Sequence, residues 1–250
     1  MVLAFGGFVI TTSVHDSRER LRRRAAALAA QDTTIVGAGL VQGTVRRAIM
    51  PRGSVQATPP EELRRRVRNL SRGTYIEDIL AEQDSALYRW PDRQGDPMRV
   101  YIEPASAVSD WSPSYPQLAR DVFSEWSEAG FPLRFTFISD SSSAHIAIRW
   151  LDRFPPGEGQ RIGVTNRVQS SRFLIVQATL AIANHDSAGR ALSTQAVAGI
   201  VRHEVGHALG LNHANDATSV MYRQSATYVI GESDRATLRL LYLVPPGSLK

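Results

Sequence analysis

The stretch that decides the fold is His203-Glu204-Val205-Gly206-His207-Ala208-Leu209-Gly210-Leu211-Asn212-His213. His203 and His207 are one helical turn apart, so a helix directs both imidazoles toward one point. Gly210 has no Cβ, so it can end that helix and reverse the chain, which would bring His213 back as a third ligand. Three protein ligands leave a fourth position open, which is typical of a catalytic zinc site.

Glu204 follows the first histidine and is rotated off the ligand face, where it can hold a water molecule beside the metal. The flanks of the stretch also favour a helix, because Ser193 or Thr194 can cap its start. An apolar stripe follows that cap: Ala196, Val197, Ile200, Val201 and Leu209. The alternative interpretation is a buried helix whose histidines only satisfy neighbouring polar groups.

The spacing H-E-x-x-H-x-x-G-x-x-H resembles that of the metzincin metalloproteases, and most closely their matrixin-like branch. Ser219-Val220-Met221-Tyr222 follows at short range and resembles the metzincin Met-turn. Two positions depart from the branch pattern, because Arg223 stands where matrixins usually have proline and Ala214 replaces the residue that labels the branch. Tyr222 directly follows the methionine, one position before the metal-linked tyrosine of other branches, so we do not assign it as a ligand.

The resemblance implies a zinc-dependent endopeptidase in which a zinc-activated water attacks the peptide bond. One Zn²⁺ would be held by His203, His207 and His213, with Glu204 as the general base. Gly210 and Met221 would support the site, the methionine as an apolar floor beneath the histidines. No residue cluster indicates Ca²⁺, although calcium is compatible with the family. The alternative function is a catalytically weak, zinc-containing binding or assembly module of the cell envelope, tethered by its basic arm.

A protein or peptide substrate would lie extended along an edge strand, and Gly163–Val168 is the candidate for that strand by resemblance. The wall of the specificity pocket would lie between Ala214 and Ile230, but the sequence identifies no substrate-binding side chain there.

The alternation of apolar residues around the motif predicts an α+β fold. Residues 86–250 are expected to form a metzincin-like catalytic domain: a mixed twisted sheet, the active-site helix, the Met-turn and a C-terminal helix capped by Ser233. The predicted elements are strands at 98–103, 133–138, 145–150, 163–168 and 174–183, and helices at 116–129 and from 234 to about 242.

The chain has 250 residues and no cysteine, which excludes disulfides, thiolate metal sites and the propeptide cysteine of matrixins. The net charge is +5, yet residues 16–72 contain thirteen arginines against five acidic residues, so the rest of the chain is net negative. Residues 15–85 are therefore predicted to be a basic, mostly helical arm or propeptide-like region. Its arginines either form solvated helix faces or contact an anionic membrane surface. Specific nucleic-acid binding is not expected, because interleaved aromatic residues are lacking.

Residues 1–14 are uncharged and too short to span a bilayer, and we interpret them as the remnant of a signal peptide or membrane anchor. Export is therefore expected, with the protein secreted, periplasmic or anchored in the envelope. His145 and His185 lie at predicted strand or loop positions and are candidate ligands of a second metal, but the sequence near them, and near Asp84, contains no accompanying ligand cluster. Residues 74–90 carry apolar side chains that are expected to dock on the catalytic domain. The sequence does not indicate an oligomeric state.

Overall fold

A computed structural model of the protein describes residues 58–93, 95–155, 161–224 and 227–250. The predicted signal or anchor remnant at residues 1–14 lies outside the described residues, as does the basic arm as far as residue 57. Among the helices that are described, none is long and apolar enough to cross a membrane.

The described helices and strands follow the predicted order closely. The helices are α1 (Pro60–Leu70), α2 (Ile76–Glu82), α3 (Tyr115–Ser127), α4 (Thr194–Ala208) and α5 (Glu232–Leu243). The strands are β1 (Ala86–Leu87), β2 (Met98–Ile102), β3 (Phe135–Ile138), β4 (Ile146–Leu151), β5 (Gly163–Gln169), β6 (Ile175–Ala183) and β7 (Gly247–Ser248), and one turn of 3₁₀ helix spans Ser141–Ser143.

Five strands form a mixed sheet in the order β3-β2-β4-β6-β5. The first four are parallel, whereas β5 runs antiparallel to β6 and forms one edge. In the parallel part, Ile146 pairs with Val100 on one side and with Ala178 on the other. The prediction of an α+β fold with a mixed sheet is confirmed. The antiparallel edge strand lies next to α4, which brings its residues to the histidine motif.

The core lies between the sheet and the helices α3 and α4, which pack on each other, with α4 also against β5 and β6. Buried residues of β2 alternate with more exposed ones, as expected of a strand with one face on a core, whereas the first three residues of the central strand β4 are all buried. Two tryptophans are fully buried and donate hydrogen bonds to the backbone of α4: Trp126 to Arg202 O at 3.1 Å and Trp90 to Ala208 O at 2.8 Å. These bonds fix the position of α4.

The helices α1 and α2 precede the predicted domain start at residue 86 but share its core. Leu63 of α1 and Ile76 and Ile79 of α2 are almost completely buried within the same apolar cluster as the sheet and α4. The strand β1 also pairs with β7 at the end of the described chain. Residues 60–85 therefore pack as part of the described domain.

The predicted caps of the two later helices have different outcomes. Ser193 caps α4, because its hydroxyl accepts a hydrogen bond from Ala196 N at 3.2 Å. The prediction for Ser233 is wrong, since α5 begins one residue earlier, at Glu232, after Gly231. The side chain of Asp234 instead accepts from Gly231 N at 2.8 Å, so a buried carboxylate holds the start of this helix.

Candidate metal centre

Three histidines converge at the end of α4. His203 and His207 project from the last two turns of the helix, and His213 returns toward them after the turn at Gly210. One ring nitrogen from each lies within 4.8 Å of the others, and the ring centroids are 4.7–5.5 Å apart. Within the described part of the chain, this is the only group of three or more histidine or carboxylate side chains arranged in this way.

The hydrogen bonds of the rings assign their protons. His203 Nδ1 lies 2.7 Å from Val220 O, and His207 Nδ1 lies 2.9 Å from Leu211 O. A carbonyl oxygen only accepts, so both rings carry their proton on Nδ1 when neutral. The two Nε2 atoms are 3.1 Å apart, and in this tautomer each presents a lone pair. Two lone pairs at this distance repel, whereas a cation bound between them would be shared by both.

The protonation of the histidines favours metal binding. Burial lowers the pKa of His203 to about 4 and holds the pKa of His207 well below its usual value. Burial also lowers the pKa of His213, although the hydrogen bond to Glu82 opposes that effect. All three imidazoles are therefore neutral near pH 7, the form in which histidine binds a metal ion.

The carboxyl group of Glu204 is buried beside the edge strand β5. Thr165 Oγ1 lies 2.7 Å from Glu204 Oε2 and 2.9 Å from Glu204 O, so the threonine hydroxyl holds the carboxylate. Burial raises the pKa of Glu204 to about 7, and the hydrogen bond from Thr165 acts in the opposite direction. A group that titrates near neutral pH is suited both to accept and to donate a proton there.

Gly163, also on β5, lets the edge strand approach this carboxylate. A Cβ at this position would lie 2.5 Å from Glu204 Oε1 and 2.7 Å from Ile200 Cγ2. Both distances are far inside van der Waals contact, so a larger residue would displace the glutamate side chain or the strand.

The segment 219–222, predicted as a Met-turn, lies directly behind the helix. Met221 is fully buried, and its Sδ occupies the space that a Cβ on Gly206 would need. Gly206 lies on α4 between the two ligand histidines, His203 and His207. The buried carboxylate of Asp234 accepts hydrogen bonds from Ser219 Oγ and from Val220 N, the latter at 3.2 Å. Val220 O accepts from His203, so this carboxylate holds, at its amide N–H, the same residue whose carbonyl group orients the first histidine.

The turn after α4 needs glycine for two reasons. Gly210 has φ +113°, in the region that favours glycine, and a Cβ there would lie 2.8 Å from Tyr88 O. The neighbouring carbonyl groups at the helix end have partners, since Tyr242 donates to Leu209 O at 2.9 Å. Arg167 of β5 donates to Asn212 Oδ1 at 2.7 Å. The turn that carries His213 is therefore held from several sides.

The sequence assigned Gly163 and Thr165 only to the candidate edge strand for substrate, not to a contact with Glu204. Three further residues at this centre were not identified from the sequence: Glu82, Gly206 and Asp234. The glycine inside H-E-x-x-H was the one local signal, because a glycine in the middle of a helix weakens it and suggests close packing. The others contact the motif from distant parts of the chain and follow no spacing rule.

The histidines considered for a second metal have other partners. His145 Nδ1 accepts from Arg99 N at 2.9 Å. His185 lies between two carboxylates, with Nε2 2.9 Å from Asp110 Oδ2 and Nδ1 3.0 Å from Asp152 Oδ1. The two ring nitrogens of His185 thus have different carboxylate partners, and Asp84 pairs with Lys250.

We expect Gly163→Ala to destabilise the protein by about 1–3 kcal/mol, the usual cost of overpacking a filled site. The added methyl group would meet the carboxylate of Glu204 and the side chain of Ile200. Thermal unfolding measures the effect, with Gly247→Ala as the control because the nearest atom to its Cβ, Leu63 Cδ2, would lie 3.3 Å away rather than 2.5 Å. Equal melting temperatures for the two variants would contradict the tight approach of β5 to Glu204.

Comparison with known proteins relates this arrangement to one family. The sequence model of the peptidase M10 family, described as matrixin, matches residues 110–243, just over half of the chain. No curated protein matches the chain. A similar solved structure is described as the GM1 bound form of the ECX AB5 holotoxin: the two chains are 15% identical, with a TM-score of 0.44 over 67% of this chain and 87% of that one. A similarity at that TM-score supports no argument about this protein.

Proposed function

The chain belongs to the matrixin family of metallopeptidases, and from this premise we propose that it is a zinc-dependent endopeptidase acting on protein or peptide substrates. The observation that carries the proposal is the arrangement of three imidazoles. The Nε2 atoms of His203 and His207 lie 3.1 Å apart, and the ring of His213 lies beside them. A neutral three-nitrogen donor set of this kind suits Zn²⁺ and leaves a fourth position for water or substrate.

His203, His207 and His213 would hold the zinc. When bound, the ion supplies Lewis acidity, which activates water and polarises the carbonyl group of the scissile peptide. Each ring is already oriented through Nδ1, by Val220 O, by Leu211 O and by Glu82 respectively. Because the protons are held on Nδ1, the lone pairs are free for the metal without rearrangement of the rings.

Glu204 would act as the general base and then pass the proton to the leaving amine. The buried position of its carboxyl group supports this role, because burial favours the neutral form and makes the carboxylate a stronger base than an exposed one. Thr165 keeps one carboxylate oxygen hydrogen-bonded, which limits the orientations that the side chain can take. A purely structural zinc would not need a carboxylate in this position.

The substrate would bind extended along β5, the antiparallel edge strand of the sheet. This strand carries both Gly163 and Thr165, which border Glu204, so a peptide paired with it would pass close to the base. No described contact supports the alternative of a catalytically weak assembly module, and we do not propose it.

Two further parts of the proposal rest on the sequence of residues 1–72, of which residues 1–57 lie outside the described region. We propose that the uncharged residues 1–14 direct export, and that the arginines between residues 16 and 72 contact an anionic membrane surface. Sedimentation with anionic and neutral lipid vesicles tests the second point: binding to both kinds alike, or to neither, would contradict it.

The experiment that tests the proposed function combines metal analysis with a cleavage assay. We expect about one zinc per chain, since one three-histidine site is proposed. We also expect cleavage of casein, an unstructured protein substrate, that stops on addition of 1,10-phenanthroline and returns with added zinc. A chain that binds no zinc, or cleavage that resists the chelator, would refute the proposal.

A further inference from the structure

A helix upstream of the family match reaches the loop that carries the third histidine. Two residues of α2, Asp78 and Glu82, and the residue after the helix, Gln83, contact three residues of that loop. Asp78 Oδ2 accepts from Asn215 N at 2.9 Å, and Gln83 Nε2 donates to Asn212 Oδ1 at 2.7 Å. Glu82 lies between Asp78 and Gln83 in the sequence and forms hydrogen bonds to His213 itself.

Glu82 contacts both the backbone and the ring of His213. Its Oε2 accepts from His213 N at 3.1 Å, and its Oε1 lies 3.0 Å from His213 Nδ1. The same carboxylate forms an ion pair with Arg223, just beyond the Met-turn. About three quarters of each of the Glu82 and His213 side chains is covered, so this is not a loose surface pair.

The three histidines differ in what orients them. The rings of His203 and His207 are oriented by backbone carbonyl groups that follow the helix within 17 residues along the chain, those of Val220 and Leu211. His213 follows the helix, so no helical spacing fixes its ring, and the described partner of its Nδ1 is a side chain 131 residues earlier in the chain. A carboxylate that accepts the second N–H of an imidazole fixes the tautomer and directs the other nitrogen to a metal.

We propose that Glu82 is a positioning residue for the metal centre, holding the His213 ring so that its Nε2 faces the other two imidazoles. The helix α2 then contributes to the metal centre, although it lies outside the residues matched by the family model. This inference rests on the proposed zinc-binding function and extends it.

The test compares zinc affinity in the full chain, measured by competition with a chromophoric chelator, for Glu82→Met and Glu82→Gln. Methionine keeps the length of the side chain but accepts no strong hydrogen bond. Glutamine keeps one acceptor oxygen, which can still accept from the His213 ring at Nδ1, and loses the acceptor for His213 N. We expect the methionine variant to bind zinc about 10–100-fold more weakly, the usual effect of removing a group that orients a ligand. The glutamine variant should recover most of the wild-type affinity. The visible spectrum of the cobalt-substituted protein should change in the methionine variant only.

Two controls separate positioning from simple support of the fold. Asp78→Asn weakens the hydrogen bonds to Asn215, and Arg223→Met removes the ion pair with Glu82. Neither substitution removes the hydrogen bonds between Glu82 and His213. Both should bind zinc nearly as tightly as the wild type, even where they lower the melting temperature. Glu82→Ala replaces Glu82→Met in the comparison if the methionine variant does not fold.

Wild-type zinc affinity in Glu82→Met, or equal losses in the methionine and glutamine variants, would overturn the positioning role. An equal loss in Arg223→Met would also overturn it, because the ion pair would then account for the effect. These results leave the proposed function intact, since the wild type would still bind zinc. If the wild type itself binds no zinc, both the proposed function and this inference fail.

Discussion

Glu204→Gln should leave zinc binding and the fold intact but slow casein hydrolysis by about 10²–10⁴-fold, the contribution expected of general acid–base catalysis. The amide has nearly the same shape as the carboxyl group, and its oxygen can still accept from Thr165, so the contact with β5 is kept. It cannot, however, take a proton from water at neutral pH. The loss should therefore appear in kcat while the zinc content stays near one per chain.

The measurement is steady-state cleavage of a fluorescent casein, with zinc content and thermal unfolding determined on the same preparation. Glu128→Gln is the matched control, because this exposed carboxylate makes only a long contact with Arg235 at 3.5 Å and lies on α3's C-terminal end. Activity close to wild type in Glu204→Gln would show that another group is the base or that a contaminating protease was measured.

His207→Ala should abolish stable zinc binding and with it the peptidase activity. This variant removes one of three proposed ligands, the one nearest to both of the other rings, with ring centroids 4.7 Å away in each case. We expect the affinity to fall by more than the roughly 10–100-fold that follows from changing a group that only orients a ligand. Elemental analysis after dialysis against a weak chelator gives the zinc content directly.

His185→Ala is the control for that experiment. His185 is held by Asp110 and Asp152 rather than by the histidine cluster, so its loss should leave about one zinc per chain. Full zinc occupancy in His207→Ala would refute the assignment of the metal centre. A reduced zinc content in His185→Ala would instead revive the hypothesis of a second metal site.

The helices α1 and α2 lie in the region that was predicted to be a basic arm, although docking on the catalytic domain was expected for residues 74–90. Their arginines suggested a polar arm, and the domain was predicted to begin at residue 86. In the structure, the few apolar residues of α1 and α2, such as Leu63 and Ile79, are buried in the common core. The helix α1 is amphipathic, with a charged outer face and a narrow apolar stripe of Leu63 and Val67. Two apolar residues among many charged ones do not indicate a core helix by composition, and the stripe is buried only because the rest of the domain packs against it.

The sequence by itself determined the parts of the centre that depend on local geometry. The four-residue spacing of His203 and His207 places both rings on one helix face whatever the helix packs against. Glycine at position 210 likewise permits the positive φ that ends the helix, and the alternation of apolar residues indicated the strands of the sheet. These features are encoded within one or two turns of chain, which is why pattern and spacing identify them.

Only the tertiary structure decided which groups surround that local frame. Glu82, Thr165 and Asp234 reach the motif from other elements, and Gly163 and Gly206 matter because of atoms that pack against them from elsewhere. Even at Gly210, the approach of Tyr88 O adds a reason for glycine that the turn alone does not contain. Contacts of this kind follow from how helices and strands pack together. The residues that meet in such packing have no fixed spacing along the chain, so a periodic pattern in the sequence cannot predict them.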